Sequence, residues 1–302
     1  MHPAWSIIFF TSVSGMGFGL AGWIVLGFLN LDNDFQFIFS FIFTFGLIIS
    51  GLLSSTLHLG HPERAWRALS QWQTSWLSRE GILSGSVLVI LASWFFCNYF
   101  FDSTPNWLST ILLLLILATV YATAMIYASL KTVLSWYNPL TPICYLSFAA
   151  CSGLIANIFL ISIFEQKLTV SVINITLLIL TLTWIFKIMW WLNLDTNFSK
   201  SSIETATGLG NLGRVNSLLP PHTSENYLQK EMGFQIARKH AIKLRILSIT
   251  FGGIIPLTII FFLSNSTIFI GLALITHFFG ILIERWLFFA EAKHVVSLYY
   301  GK

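Results

Sequence analysis

Eight long apolar runs constrain this 302-residue chain more than any other feature. An α-helix needs about 20 residues to cross the hydrocarbon core of a bilayer, and each run comes close to that length. The runs do not alternate apolar and polar residues, as the strands of a membrane β-barrel do. The sequence therefore predicts an all-α, polytopic integral membrane protein, a single domain over residues 1–302 with eight transmembrane helices. We place the helices near residues 5–29, 36–57, 82–101, 108–130, 140–163, 170–193, 244–263 and 267–289.

Composition supports this class. Charged residues make up 9% of the chain, and its mean hydropathy is +0.78, whereas soluble proteins carry roughly 25% charged residues. The net charge of +4 fits membrane topology and contact with anionic lipid, so no nucleic-acid partner is predicted. Cys97, Cys144 and Cys151 lie inside apolar runs. An iron–sulfur cluster needs about four thiolates, so none is expected in this chain.

The basic residues predict the orientation. An even number of spans puts both termini on one side of the membrane. Nearly all lysines and arginines lie in the connections and tail on that side, while Lys167 alone lies on the other. Since cytoplasmic connections carry the excess of positive charge, the termini are predicted to be cytoplasmic.

Residues 194–243 form the longest polar connection. Gly208, Gly210 and Gly213 superficially resemble a phosphate loop, but no strand precedes them and no Lys-Ser/Thr pair follows, so nucleotide binding is rejected. From Ser224 onward, apolar residues interleave with charges, which predicts an amphipathic helix. Two interpretations stay open: a basic helix facing water or lipid, and a platform on which a soluble partner docks.

The connection between the second and third runs gathers much of the titratable chemistry. Oxidising a quinol requires an apolar slot near the membrane surface, a hydrogen-bonding partner for the ring oxygen, and acceptors for two protons. A histidine suits the first contact because its pKa lies near neutrality. We predict a quinone head-group site formed by His58, His61, Arg64, Trp66 and Glu80, in which His58 and Glu80 are catalytic. The simpler alternatives are a helix-end histidine, lipid-phosphate contacts and an interfacial aromatic belt.

The final run carries three ionisable residues on one helical face. His277, Glu284 and Glu291 are spaced i, i+7, i+14, which extends over about 21 Å. Ionisable groups at this depth usually face the bundle interior, so a proton path is one interpretation. The other is an interfacial pair between Glu284 and Arg285 and a histidine bonded to a serine or a carbonyl. Lys187 is expected to reach the cytoplasmic surface.

Several strings resemble a known family. LHLGHPERAWRAL and SWLSREG resemble the membrane anchor subunit of dimethyl sulfoxide reductases. MHPAWSIIFFTSVSG, LLPPHTSENYLQKEMGFQIARKHAIKLR and IERWLFFAEAKHVVSLYYG are more similar still to the anchor of cytoplasmic sulfite dehydrogenases, a branch of the same family.

The resemblance implies a three-subunit complex in the bacterial inner (plasma) membrane. A molybdopterin catalytic subunit and an iron–sulfur subunit would dock on this chain, which would exchange electrons with menaquinone or ubiquinone in anaerobic electron transport. The family's anchors carry no haem. Its quinone-site histidine, in an LHLG string, corresponds to His58, and its functional glutamate corresponds to Glu80. His61 stands where the sulfoxide reductase anchors often have a small residue, so the resemblance does not fix the exact set of ligands or the quinone type.

Two other classes fit the sequence less well. A secondary transporter typically has inverted repeats and broken helices, and this sequence has no evident internal symmetry and one proline, Pro256, deep in a span. A di-haem cytochrome needs paired axial histidines within spans, and His277 is the only deep one. The direction of electron flow stays open, because sulfite oxidation delivers electrons to quinone and sulfoxide reduction draws them from quinol.

Overall fold

A computed structural model describes residues 3–56, 61–101, 103–196, 202–216, 218, 236–292 and 294–295. Within these ranges the chain is almost entirely helical. The one β pairing described is an isolated antiparallel bridge between Val133 and His294. The helices are α1 Trp5–Val25, α2 Asp34–Thr56, α3 Trp76–Phe101, α4 Asn106–Ala128, α5 Leu140–Ile163, α6 Val170–Thr196, α7 Ile203–Thr207, α8 Ile236–Ile249, α9 Ile255–Leu263 and α10 Thr267–Ala290.

Eight segments in the described part of the chain are long and apolar enough to cross a membrane. They are α1 to α6, the segment His240–Leu263 and α10. The seventh of these combines most of α8 with a π-helical turn, Thr250–Ile254, and α9. The predicted all-α architecture with eight spans is confirmed.

The third span begins earlier than predicted. We expected it near residue 82, but α3 begins at Trp76 and contains Glu80 in its second turn. Arg79 makes this possible because its guanidinium stays at the surface. It donates to the Trp72 and Gln73 carbonyl oxygens at 2.9 and 2.6 Å and lies over the Trp76 ring. Hydropathy alone cannot register a charge that is accommodated in this way.

Helix α1 lies at the centre of the amino-terminal half of the bundle, against α2, α4, α5 and α10. Its small residues permit this position. A Cβ on Gly19 would overlap the Ala149 carbonyl of α5, and one on Gly153 would overlap the backbone of Gly19. Without side chains at these two positions, the helix backbones touch, as small residues allow in lipid.

The π-helical turn brings the seventh span against α10. A Cβ on Gly280 would overlap the backbone of Gly252, and Gly252 also lies against the Trp184 ring of α6. A π turn leaves carbonyl groups outside the regular helical ladder. The Gly252 carbonyl oxygen lies 2.6 Å from Nδ1 of His277, and since a carbonyl can only accept, Nδ1 carries the proton.

Candidate functional site

Glu80 is a buried carboxyl group near one end of the bundle. Glu80 is 5% exposed, and the Thr123 hydroxyl of α4 donates a hydrogen bond to Glu80 Oε1. No lysine, arginine or histidine within the described ranges lies at ion-pair distance from it. Burying a carboxylate without a cation is costly. Glu80 is therefore suited to gain and release a proton rather than to hold a permanent charge.

The rest of the predicted head-group site lies on a short 3-10 helix, Pro62–Gln71. His61 Nδ1 is 3.0 Å from Glu63 Oε1, and Arg64 Nε is 3.7 Å from the same oxygen. Trp66 is 68% exposed. Among the described contacts, none joins His61, Arg64 or Trp66 to Glu80, so the structure places them on the surface of the connection.

The 3-10 helix is nevertheless fixed to α3. Ser78 donates its hydroxyl to the Ala68 carbonyl oxygen, and Leu69 lies against Gly81. Its exposed residues are thereby held next to the turn that carries Glu80. His58 lies outside the described residues, and its pairing with Glu80 stays a prediction.

A small polar cavity lies beside Thr123, between α1, α4, α5 and α10. Its volume is about 20 Å³. The polar side chains in its wall are Thr11, Ser12, Ser14, Thr123, Tyr145, Ser152 and Arg285. The alignment of hydroxyls from three helices around one point depends on how those helices face each other.

Two apolar clefts open on the outside of the bundle. The α1–α4–α5 cleft has a volume of about 280 Å³ and shares three wall residues, Phe18, Val120 and Ala149, with the polar cavity. The α2–α3 cleft, of about 310 Å³, lies toward the end of the bundle opposite Glu80. Its walls are aromatic and aliphatic: Phe37, Ile38, Phe41, Ala92, Phe95, Phe96, Tyr99 and Phe100.

A cluster of three charges is buried in the carboxyl-terminal half. Lys187 Nζ lies 2.6 Å from Glu284 Oε1, and Arg285 Nε lies 3.3 Å from Glu284 Oε2. Both cations also face aromatic rings, Lys187 over Trp190 at 3.7 Å and Arg285 over Tyr145 at 4.0 Å. The expectation that Lys187 reaches the cytoplasmic surface is wrong, because this residue is 1% exposed. A carboxylate and a ring face compensate its charge inside the bundle.

A second ion cluster joins the ends of three spans. Arg245 binds both carboxylate oxygens of Asp195 at 2.6 and 3.0 Å and Glu291 Oε1 at 3.0 Å. Asp195 is exposed and Glu291 is buried. Burial raises the pKa of Glu291, and the neighbouring Arg245 partly offsets that rise.

The family model of the DMSO reductase anchor subunit (DmsC) matches residues 1–291. The chain belongs to this family. It is also 32% identical over 326 aligned residues to the C subunit of the sulfite dehydrogenase of Allochromatium vinosum, with 99% of each chain covered. Both resemblances noted in the sequence are thus confirmed for this DmsC-family chain.

The DmsC-family chain buries all three ionisable residues that its final helix was predicted to align. They do not contact one another in the described network. His277 lies 3.3 Å from the Ser152 hydroxyl and bonds Gly252, while Glu284 and Glu291 belong to the two separate ion clusters. Their role as a proton path stays a prediction. Within the described ranges, no group of His, Cys, Asp and Glu side chains is arranged to hold a metal ion.

Proposed function

We propose that this anchor subunit exchanges electrons between the quinone pool, menaquinone or ubiquinone, and a docked iron–sulfur subunit. That subunit would in turn serve a molybdopterin catalytic subunit of the dimethyl sulfoxide reductase or sulfite dehydrogenase type. The complex would lie in the bacterial inner (plasma) membrane, with the termini of this chain cytoplasmic. Membership of an anchor-subunit family supports this function over the transport alternative. The observation that carries it is Glu80, a carboxyl group buried without a cation near the head-group connection.

Quinol oxidation yields one quinone, two protons and two electrons. The electrons pass to the iron–sulfur subunit, and the protons need acceptors beside the two ring oxygens. The Glu80 carboxylate accepts one proton, and the Thr123 hydroxyl orients the carboxyl group. The second proton is assigned to His58, which would contact the other ring oxygen, with His61, Arg64 and Trp66 around the ring. In the reducing direction, Glu80 returns the proton.

The partner would dock on the side of the long connection. The described part of this connection contains α7. Ser202, the residue before this helix, forms a reciprocal capping box with Thr205, and Gly208 ends the helix in a left-handed conformation. This turn gives the connection local structure. The predicted amphipathic helix begins in residues outside the described ranges. From Ile236 onward, the chain is helical and runs directly into the seventh span.

The function is tested by photoaffinity labelling of the whole complex in proteoliposomes. A quinone with a photoreactive azide on its ring is expected to label peptides of this chain that contain Glu80 or the 3-10 helix. A lipid with the same azide on its acyl chain is the control and should label the outer apolar surface. Labelling by the quinone confined to the partner subunits would refute the proposal.

The α1–α4–α5 cleft is suited to the isoprenoid tail of the quinone. It is apolar, and it shares walls with the polar cavity beside Thr123. Gly22 lies in its wall, and a Cβ there would meet only the Leu113 side chain, at 4.0 Å. Gly22→Leu should fill the cleft and raise the KM for a long-tailed quinol by about fivefold, close to the loss of one buried methylene group. The KM for a tail-less quinol should not change.

Ala92→Leu is the matched control, because it makes a similar change in the α2–α3 cleft. It is expected to leave both KM values as in the wild type. If Ala92→Leu raises the KM for the long-tailed quinol and Gly22→Leu does not, the tail occupies the other cleft.

A further inference from the structure

The polar groups in the wall of the cavity beside Thr123 differ in whether they can donate or accept a further hydrogen bond. Thr11, Ser12, Ser14 and Ser152 donate their hydroxyl protons to carbonyl oxygens of their own helices. Thr123 donates to Glu80. The oxygens of these hydroxyls can still accept, so this part of the wall can bind a donor.

Tyr145, in contrast, can donate a hydrogen bond into the cavity. Tyr145 is 4% exposed, and its hydroxyl proton has no acceptor among the described residues. Arg285, stacked on the Tyr145 ring, adds a guanidinium that can only donate. The cavity thus suits one small ligand that accepts from Tyr145 or Arg285 and donates to the hydroxyl oxygens. Water does both, whereas a halide ion cannot donate and a metal ion cannot accept.

The size agrees with this requirement. One water molecule needs about 10–15 Å³ and between two and four polar partners, and the cavity offers about 20 Å³. We propose that this cavity binds one structural water, which joins Tyr145 to the Thr123 hydroxyl and makes Tyr145 a positioning residue for Glu80. The proposal rests on the proposed function only where it concerns quinol turnover.

The consequence is a hydrogen-bonded connection from Glu80 to Tyr145, whose ring is stacked against the buried Arg285 guanidinium. The water fixes the Thr123 hydroxyl so that its proton points at Glu80, and it links that hydroxyl to the Tyr145–Arg285 stack. The titratable and charged groups around Glu80 from the helices packed there are Tyr127, Tyr145 and Arg285, and Glu284 follows behind Arg285. Helix α1 contributes no charged side chain to this cavity, and its polar side chains there are the hydroxyls of Thr11, Ser12 and Ser14. The connection therefore couples the protonation of Glu80 to a nearby positive charge.

The experiment measures vibrational spectra and turnover in the same variants. The Glu80 carboxyl band is identified by its loss in Glu80→Gln, and a buried-water O–H band by its shift in oxygen-18 water. In full-length chain in nanodiscs, Tyr145→Phe should abolish the water band and move the Glu80 band. In the whole complex, it should shift the pH midpoint of quinol-linked turnover by about one unit while lowering kcat at the optimum by less than about threefold.

Two further variants keep the test decisive. Thr123→Val removes the hydroxyl that the water joins to Tyr145 and should abolish the same water band. This result does not depend on whether Tyr145→Phe folds well. Tyr121→Phe is the control, because Tyr121 lies on the outer surface of α4, and both bands and the pH profile should stay as in the wild type.

A wild-type chain without a buried-water band, or a Tyr145→Phe spectrum equal to the wild type, would overturn the proposal. If the wild-type complex has no quinol-linked turnover, the proposed function fails, but the spectra still decide whether the water site exists.

Discussion

Glu80→Gln is expected to lower quinol-linked kcat by about 10²- to 10⁴-fold, the range that a lost general acid–base group usually costs. Turnover with a soluble dye that reduces the iron–sulfur subunit directly should stay at the wild-type rate. Glutamine has nearly the same shape as glutamate, and its carbonyl oxygen can still accept from Thr123. The substitution therefore removes the proton-exchanging group while leaving the packing between α3 and α4 in place.

Glu165→Gln makes the same chemical change at an exposed position between α5 and α6. It should leave quinol-linked and dye-linked turnover unchanged. A wild-type quinol-linked kcat in Glu80→Gln would contradict the role of Glu80, and an equal loss of both activities would point to failed assembly instead.

Glu284→Gln is expected to have the largest effect on stability. The buried cluster contains two cations and one anion, a net charge of +1. Removing the carboxylate leaves Lys187 and Arg285 without a counter-ion and facing each other's charge. Breaking a buried pair in this way costs about 3–5 kcal/mol. We expect little Glu284→Gln protein in membranes and a thermal unfolding midpoint in detergent well below that of the wild type.

Lys187→Met is the informative comparison. It leaves Arg285 paired with Glu284, a neutral pair, and methionine fills much of the space of the lysine stem against Trp190. Its destabilisation should therefore be clearly smaller than that of Glu284→Gln. Equal destabilisation by the two changes would show that packing, and not the balance of charge, determines the stability of this region.

The sequence by itself determined the class of fold. Hydrocarbon cannot hydrogen-bond a peptide group, so an apolar run of about 20 residues in a bilayer becomes a helix irrespective of its neighbours. The number of spans follows from local pattern, and so does the helical face that His277, Glu284 and Glu291 share. The family could also be identified from short strings in the connections and near both ends of the chain.

Only the tertiary structure decided which side chains meet. The earlier start of α3 depends on Arg79 reaching back to carbonyls that precede the helix. The burial of Lys187 depends on a carboxylate 97 positions away along the chain, Glu284. The contact between Thr123 and Glu80, and the cavity with Tyr145, depend on the rotation of five helices about their axes. In a chain this apolar, hydrophobicity places every long helix in the membrane but barely distinguishes its faces, so polar contacts and glycine-sized gaps between helices select the arrangement.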